Sequence, residues 1–200
     1  MAVPQHTLDL SDFTLNDIHV GTRLYTALVA HAHATQGAPV SYSDILQQAR
    51  ELDVEDAELQ RAVPIGIGMK LLFVQHFCDL HGYPNLACLA VSKGRGRPSE
   101  GYKGDWEADK RAVARFDWSS AQPSLDAYVV DARRAVTPKK RRTADEALKL
   151  RYEHYTDNRQ VYGTLSEEEK QEILTLLMAG VDADPALQRV VAARAMLAEA

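Results

Sequence analysis

Leu86-Ala87-Cys88-Leu89-Ala90-Val91-Ser92-Lys93-Gly94-Arg95-Gly96-Arg97-Pro98 is the stretch on which the fold turns. Its apolar half, 86–92, alternates weakly and is flanked by turn formers, which predicts a strand. The basic half joins cations to glycines and a proline and predicts a turn. A return strand near Gly101-Tyr102 then completes a hairpin, with a loop longer than the tightest types.

Upstream, helical periodicity repeats. Ile18, Tyr25, Leu28 and Val29 predict an amphipathic helix over 15–33, ended by Gly37 and Pro39. Val40-Ser41-Tyr42 is a short extended lead-in to a helix over 43–51, with Ser43 as N-cap and Ile45, Leu46 and Ala49 inward. A short helix over 54–63 stops at Pro64, which lacks an amide proton and crowds the preceding turn. The next helix begins at 65 or 66 and ends at 81. Ile67, Leu71, Val74, Phe77 and Cys78 form its apolar stripe, and Gly82-Tyr83-Pro84 ends it. On this reading Lys70, Gln75, His76 and Asp79 face outward.

Downstream, Asp105 is placed to cap a helix over 106–115, followed by Phe116 and Trp118. Leu125, Tyr128, Val129 and Ala132 predict another helix up to about 136, and Thr137-Pro138-Lys139-Lys140-Arg141-Arg142 is a basic linker. Thr143 with Glu146, and Ser166 with Glu169, have capping-box spacing. Asp184-Pro185 suggests an N-cap with proline at the first helical position, and Gly180 suits a C-cap.

The chain has 200 residues, enough for one domain or one domain with an appendage. At 46% hydrophobic and 26% charged it is not a disordered chain. Its 2 Cys cannot form a disulfide scaffold, and no apolar run reaches membrane-spanning length, so a cytoplasmic protein is expected. The net charge of -5 conceals a segregation. Residues 93–142 hold 13 basic and 7 acidic groups, whereas 1–92 hold 4 and 10. A basic centre between acidic flanks can present an electropositive face to a polyanion.

The order helix, helix, helix, strand, glycine-rich basic turn, strand predicts a winged helix-turn-helix at about 38–104. The fold class is thus α+β, mostly helical, with a small β-hairpin plus additional helices. The organisation expected is a winged-helix-like domain over 1–120 with a buttressing N-terminal helix. A helix and basic linker follow over 121–142, and a helical C-terminal region over 143–200.

Within 38–104, Val40-Ser41-Tyr42 with Ile45, Arg61-Ala62-Val63, Leu86-Ala87-Cys88-Leu89-Ala90-Val91 and Gly101-Tyr102 follow one another in a familiar order. The stretch resembles the C-terminal half of the alkylguanine-DNA alkyltransferases and the alkyltransferase-like proteins. That resemblance implies a winged helix that binds DNA through the minor groove and flips a base, with Arg61 matching the arginine that fills the vacated place. Two departures bear on chemistry. Ala87 precedes Cys88 where those transferases carry Pro, and Leu89 and Ala90 follow where they carry His and Arg. A thiol without a neighbouring base or cation is not activated, so alkyl transfer is not expected. The stretch is also similar to small uncharacterised bacterial and phage proteins with an apolar strand, a Lys-containing turn and a Gly-aromatic pair.

Asp105, Glu107, Asp109 and Lys110 have a partial metal-nuclease pattern, but a solvated amphipathic helix accounts for it more simply. His76 and His81 are five apart, which separates them on a helix, and with Cys78 they do not make a zinc site. Phe116, Trp118, Tyr152, Tyr155 and Tyr162 are read as core rather than as base-stacking residues. The expectation is therefore a non-catalytic nucleic-acid-binding protein, acting on double-stranded DNA first and RNA second, without cofactor, metal or membrane partner. Arg61, Lys70, Gln75, Lys93, Arg95, Arg97, Lys103, Lys139, Lys140, Arg141 and Arg142 are the contact residues expected. The alternative is a protein-interaction or oligomerisation factor of a bacterial or phage defence-related system. It would dock through the C-terminal helices at Ile173, Leu174, Leu177 and Met178.

Overall fold

A computed structural model describes residues 9–94, 96–97, 102, 104–136 and 140–198 of the chain, and these are mostly helical. The first helix, α1 (Leu15–Thr35), opens with Thr14, whose hydroxyl accepts from the Asp17 amide while Asp17 reaches back to the Thr14 amide. It is a central post rather than an outer buttress, since Ile18, Leu24, Tyr25 and Leu28 are all buried. Strand β1 (Val40–Ser41) leads into α2 (Tyr42–Leu52). The cap of α2 is Ser41, whose Oγ accepts from the Asp44 amide at 3.1 Å, two residues before the Ser43 expected. Helix α3 (Ala57–Arg61) is shorter than the 54–63 anticipated, because Asp56 caps it. A 3-10 turn at Pro64–Gly66 then feeds α4 (Ile67–His81), which Gly82 closes in the left-handed conformation.

Helices α1 and α4 cross at Gly21. A Cβ there would sit 2.8 Å from Phe73 Cδ1 and 2.9 Å from the Lys70 carbonyl oxygen, so a side chain would force the two backbones apart. Around this crossing lie Phe13, Phe73, Phe77, Trp118 and Tyr128, with T-shaped contacts between Tyr25 and both Phe77 and Trp118.

Residues 86–92 depart from the expected strand. Leu86–Leu89 is a 3-10 turn, and only β2 (Ala90–Val91) is extended. Leu86, Cys88, Leu89, Ala90 and Val91 are all inside and Ala87 and Ser92 half-buried, so the segment lacks the buried-exposed alternation of a surface strand. Strand β2 pairs in parallel with β1, Val40 opposite Ala90 and Ser41 opposite Val91. Tyr102 lies in no strand, and Gly101 is outside the described residues, so no hairpin is seen among the described residues.

Helix α5 (Trp106–Arg115) starts at the predicted cap Asp105, and α6 (Gln122–Ala135) buries Leu125, Tyr128 and Ala132 in the same core. A second core follows, formed by α7 (Ala144–Asp157), α8 (Arg159–Tyr162), α9 (Glu167–Met178) and α10 (Ala183–Ala198). Both predicted capping boxes form, at Thr143/Glu146 and Ser166/Glu169. At the end of α9 the Val181 amide reaches the Leu176 carbonyl and the Gly180 amide the Leu177 carbonyl, the double bond pattern of a glycine C-cap. Helix α10 begins before the expected Asp184 cap, and Asp184 instead accepts from His154 Nε2 at 2.9 Å. No described helix is long and apolar enough to cross a membrane.

Candidate functional site

Two places hold the exposed cations that the sequence singles out. The first is the turn after β2. The Gly96 amide bonds to the Ser92 carbonyl at 3.1 Å, and Gly96 takes a positive φ of 61°, which closes the turn tightly. Lys93 and Arg97 are exposed and have no carboxylate partner among the described residues. Arg95 and Lys103, expected on the same turn, lie outside the described residues, as does Lys139. Between α4 and the residues leading into β2 is a groove of about 200 Å³ bordered by Tyr42, Leu72, Gln75, Asn85, Cys88 and Tyr102. Gly68, Leu72 and Asp79 form the outer strip of α4, with Gln75 half-buried among them. Asn85 Oδ1 is buried without a hydrogen-bond partner.

Lys70 is not on that strip. The expected outward-facing contact residue is 1% exposed, and its ammonium donates to the Gly66 carbonyl at 2.7 Å and to Glu172 Oε1 at 3.3 Å, with Asp17 Oδ1 at 3.6 Å. Burial alone would lower its pKa. Glu172 and Asp17 outweigh that and hold its pKa above the ordinary lysine value. Lys70 lies three residues after Ile67 and four before Val74, so it shares the apolar stripe. That spacing was the available signal. Its carboxylate partners, far away in sequence, gave none.

The second cationic place surrounds the end of α3. A hollow of about 120 Å³ is bordered by Arg61, Arg141 and Arg142, together with Asn16, Glu58 and Thr175. Arg61 and Lys140 are exposed without carboxylate partners among the described residues. Arg141 is exposed and meets Glu58 Oε1 at 3.4 Å. Arg142 is a structural residue, contrary to its expected role. Its guanidinium donates to the carbonyls of Leu177 at 3.0 Å and Val181 at 2.9 Å and to Asp182 at 2.9 Å, which satisfies the end of α9. The structure thus brings Arg61, Arg141 and Arg142, three of the expected contact residues, to one hollow, and one of them is committed internally.

The chemistry near Cys88 is quiet. Burial pushes both the Cys88 and the Cys78 thiols up to about 12, and protons stay on them at neutral pH. Tyr102 donates to Asp109 Oδ2, and Asp105 accepts from the Ala108 amide as the cap of α5. No cluster of three metal-ligating side chains occurs among the described residues. His76 Nδ1 pairs with the Tyr128 hydroxyl at 2.8 Å and His81 Nδ1 with the Phe77 carbonyl at 2.9 Å. Of the five aromatics read as core, Trp118 and Tyr162 are buried and Phe116 is half-buried, whereas Tyr152 and Tyr155 on α7 are exposed. Ile173 and Leu177, expected at a docking face, are fully buried in the second core.

No protein-family model matches this chain, and neither the curated proteins nor the solved structures contain a match to it.

Proposed function

We propose that this protein binds a nucleic acid, double-stranded DNA in the first place, without transforming it. In this reading the 92–97 turn acts as a wing along the phosphate backbone, while the outer strip of α4 lies against the duplex. One observation carries the reading. Lys93 and Arg97 stand exposed on a glycine-closed turn, and no carboxylate of the described residues neutralises them. Cations held this way attract phosphates without reading sequence. The strip itself offers Gln75 as a hydrogen-bonding group and Asp79 as a charge that repels phosphate, so affinity rests on the turn.

Fluorescence anisotropy with a labelled duplex across a salt series tests this. Lys93→Glu with Arg97→Glu should weaken binding uniformly over sequences and lower the salt slope by about 2, near one per lost phosphate contact. Undiminished affinity in that variant refutes the wing assignment. A second reading, self-association, is favoured by one observation: Leu148, Tyr152 and Tyr155 are exposed at helical spacing on α7. Light scattering on the same samples decides it, since a monomer at micromolar concentration excludes it.

A further inference from the structure

A third hollow, of about 350 Å³, lies where the start of α1, the start of α3, the end of α6 and the linker meet. Its volume falls in the range of small-molecule sites. His19, Asp56, Glu58, Arg133 and Arg141 border it.

The groups around it are arranged in a definite order. Asp56 accepts from His19 Nε2 at 2.7 Å, from Arg23 Nε at 3.0 Å and from the Leu59 amide at 3.0 Å. Burial alone would raise the Asp56 carboxyl, but these three donors outweigh it and hold it below its usual value. A carboxylate has no proton to give, so the hydrogen between the two side chains resides on His19 Nε2. Nδ1 has no hydrogen-bond partner among the described residues and, in the neutral ring, carries a lone pair. Arg133 is exposed and unpaired among the described residues, and Arg141 is held only by one exposed contact to Glu58 at 3.4 Å. The hollow thus combines two available guanidinium groups with an oriented imidazole that can take a proton.

We propose that this hollow binds a terminal phosphate monoester, its oxygens between Arg133 and Arg141 and one proton shared between a phosphate oxygen and His19 Nδ1. No covalent bond forms or breaks. A phosphate monoester retains an ionisable proton near neutral pH, whereas a backbone diester and sulfate do not, so His19 selects the monoester. Glu58 is the built-in competitor, which the phosphate displaces from Arg141. The proposal goes beyond the nucleic-acid reading and stands without it, on residues that do not include the 92–97 turn.

The test is calorimetric titration of the full chain with inorganic phosphate, sulfate and a nucleoside 5′-monophosphate. Binding of one short duplex with and without a 5′-phosphate completes the set. Arg133→Ala with Arg141→Ala should weaken phosphate binding about tenfold or more. His19→Gln should abolish the preference for phosphate over sulfate, and Glu58→Gln should tighten both anions severalfold. Because Arg133 and Arg141 are exposed and Glu58 half-buried, these variants retain the fold, checked by circular dichroism. Tighter binding of the 5′-phosphorylated duplex than of its 5′-hydroxyl form identifies a nucleic-acid end as the source. Equal duplexes with a saturable nucleotide identify a small molecule. Absence of saturable phosphate binding at millimolar concentration, or affinities indifferent to both the arginine and the Glu58 changes, overturns the proposal. Lys93→Glu with Arg97→Glu should leave phosphate affinity unchanged, which separates this site from the wing.

Discussion

Lys70 Nζ stands 3.3 Å from Glu172 Oε1, joining α4 in the first core to α9 in the second across 102 residues of sequence. Both side chains are buried, and Asp17 from α1 and Arg189 from α10 complete the junction. Removing one partner leaves an uncompensated buried charge, whereas replacing both with apolar groups removes the problem. Lys70→Met should therefore cost about 3–5 kcal/mol in urea unfolding, and Lys70→Met with Glu172→Leu distinctly less than the sum of the single changes. Additive costs would show that the two side chains act independently.

Two neighbouring glycines should respond in opposite ways to alanine. At Gly66 a Cβ would stand 2.1 Å from the Glu172 carboxyl carbon, so Gly66→Ala pushes Glu172 away from Lys70 and should destabilise by about 1–3 kcal/mol. At Gly68 nothing lies within 4 Å of the added atom, and the residue is exposed inside α4. Gly68→Ala should stabilise by about 0.5–1 kcal/mol through helix propensity alone. Thermal unfolding of the pair checks both signs.

Glu169 gives the second core a defined response to acid. Burial would raise its carboxyl, but Arg194, at 2.5 and 2.8 Å, and the Ser166 amide hold it below the usual glutamate value. A carboxyl lowered in the folded state adds stability above its unfolded pKa of about 4.3, and that stability is lost as pH falls through the folded value. Glu169→Gln should cost about 2 kcal/mol at pH 7 and show a shallower loss below about pH 4.5 than the parent. Comparing variant with parent subtracts Glu172, whose raised carboxyl acts with the opposite sign. Parallel acid limbs would refute the assignment.

Neither thiol should react in the folded state. Cys78 and Cys88 are buried, and both stay protonated at neutral pH because burial raises them to about 12. Ellman's reagent at pH 8 should titrate no thiol in the native protein and 2 in guanidinium. A fast native reaction would reopen nucleophilic chemistry at Cys88.

The helix ends were the most legible part of the sequence, because a cap is decided by residues three or four apart. Asp105, Thr143 with Glu146, Ser166 with Glu169, Gly82 and Gly180 all act as their spacing suggests. Residues 86–92 were misread because a strand and a doubly buried turn share the same apolar composition, and only the helices around them distinguish the two. Lys70 shows a related limit: its spacing puts it on the buried stripe, but the Asp17 and Glu172 carboxylates that make a buried lysine tolerable lie far off in sequence. Arg142 looked like its neighbours in the basic linker, and the α9 carbonyls that occupy it belong to another part of the chain. The His19–Asp56 pair, 37 residues apart, left no local pattern at all.

The parallel pairing of Val40 with Ala90 has a consequence for synthesis on the ribosome. Parallel neighbours cannot be made by a hairpin, so α2, α3 and α4 must all leave the exit tunnel before β1 finds its partner. Helix α1 meets α2 and α4 before that point, but Tyr25 still lacks Trp118, which is made later in the chain. Nascent chains halted before residue 90 should therefore be bound by chaperones and cut by proteases, and protection should arrive abruptly rather than helix by helix.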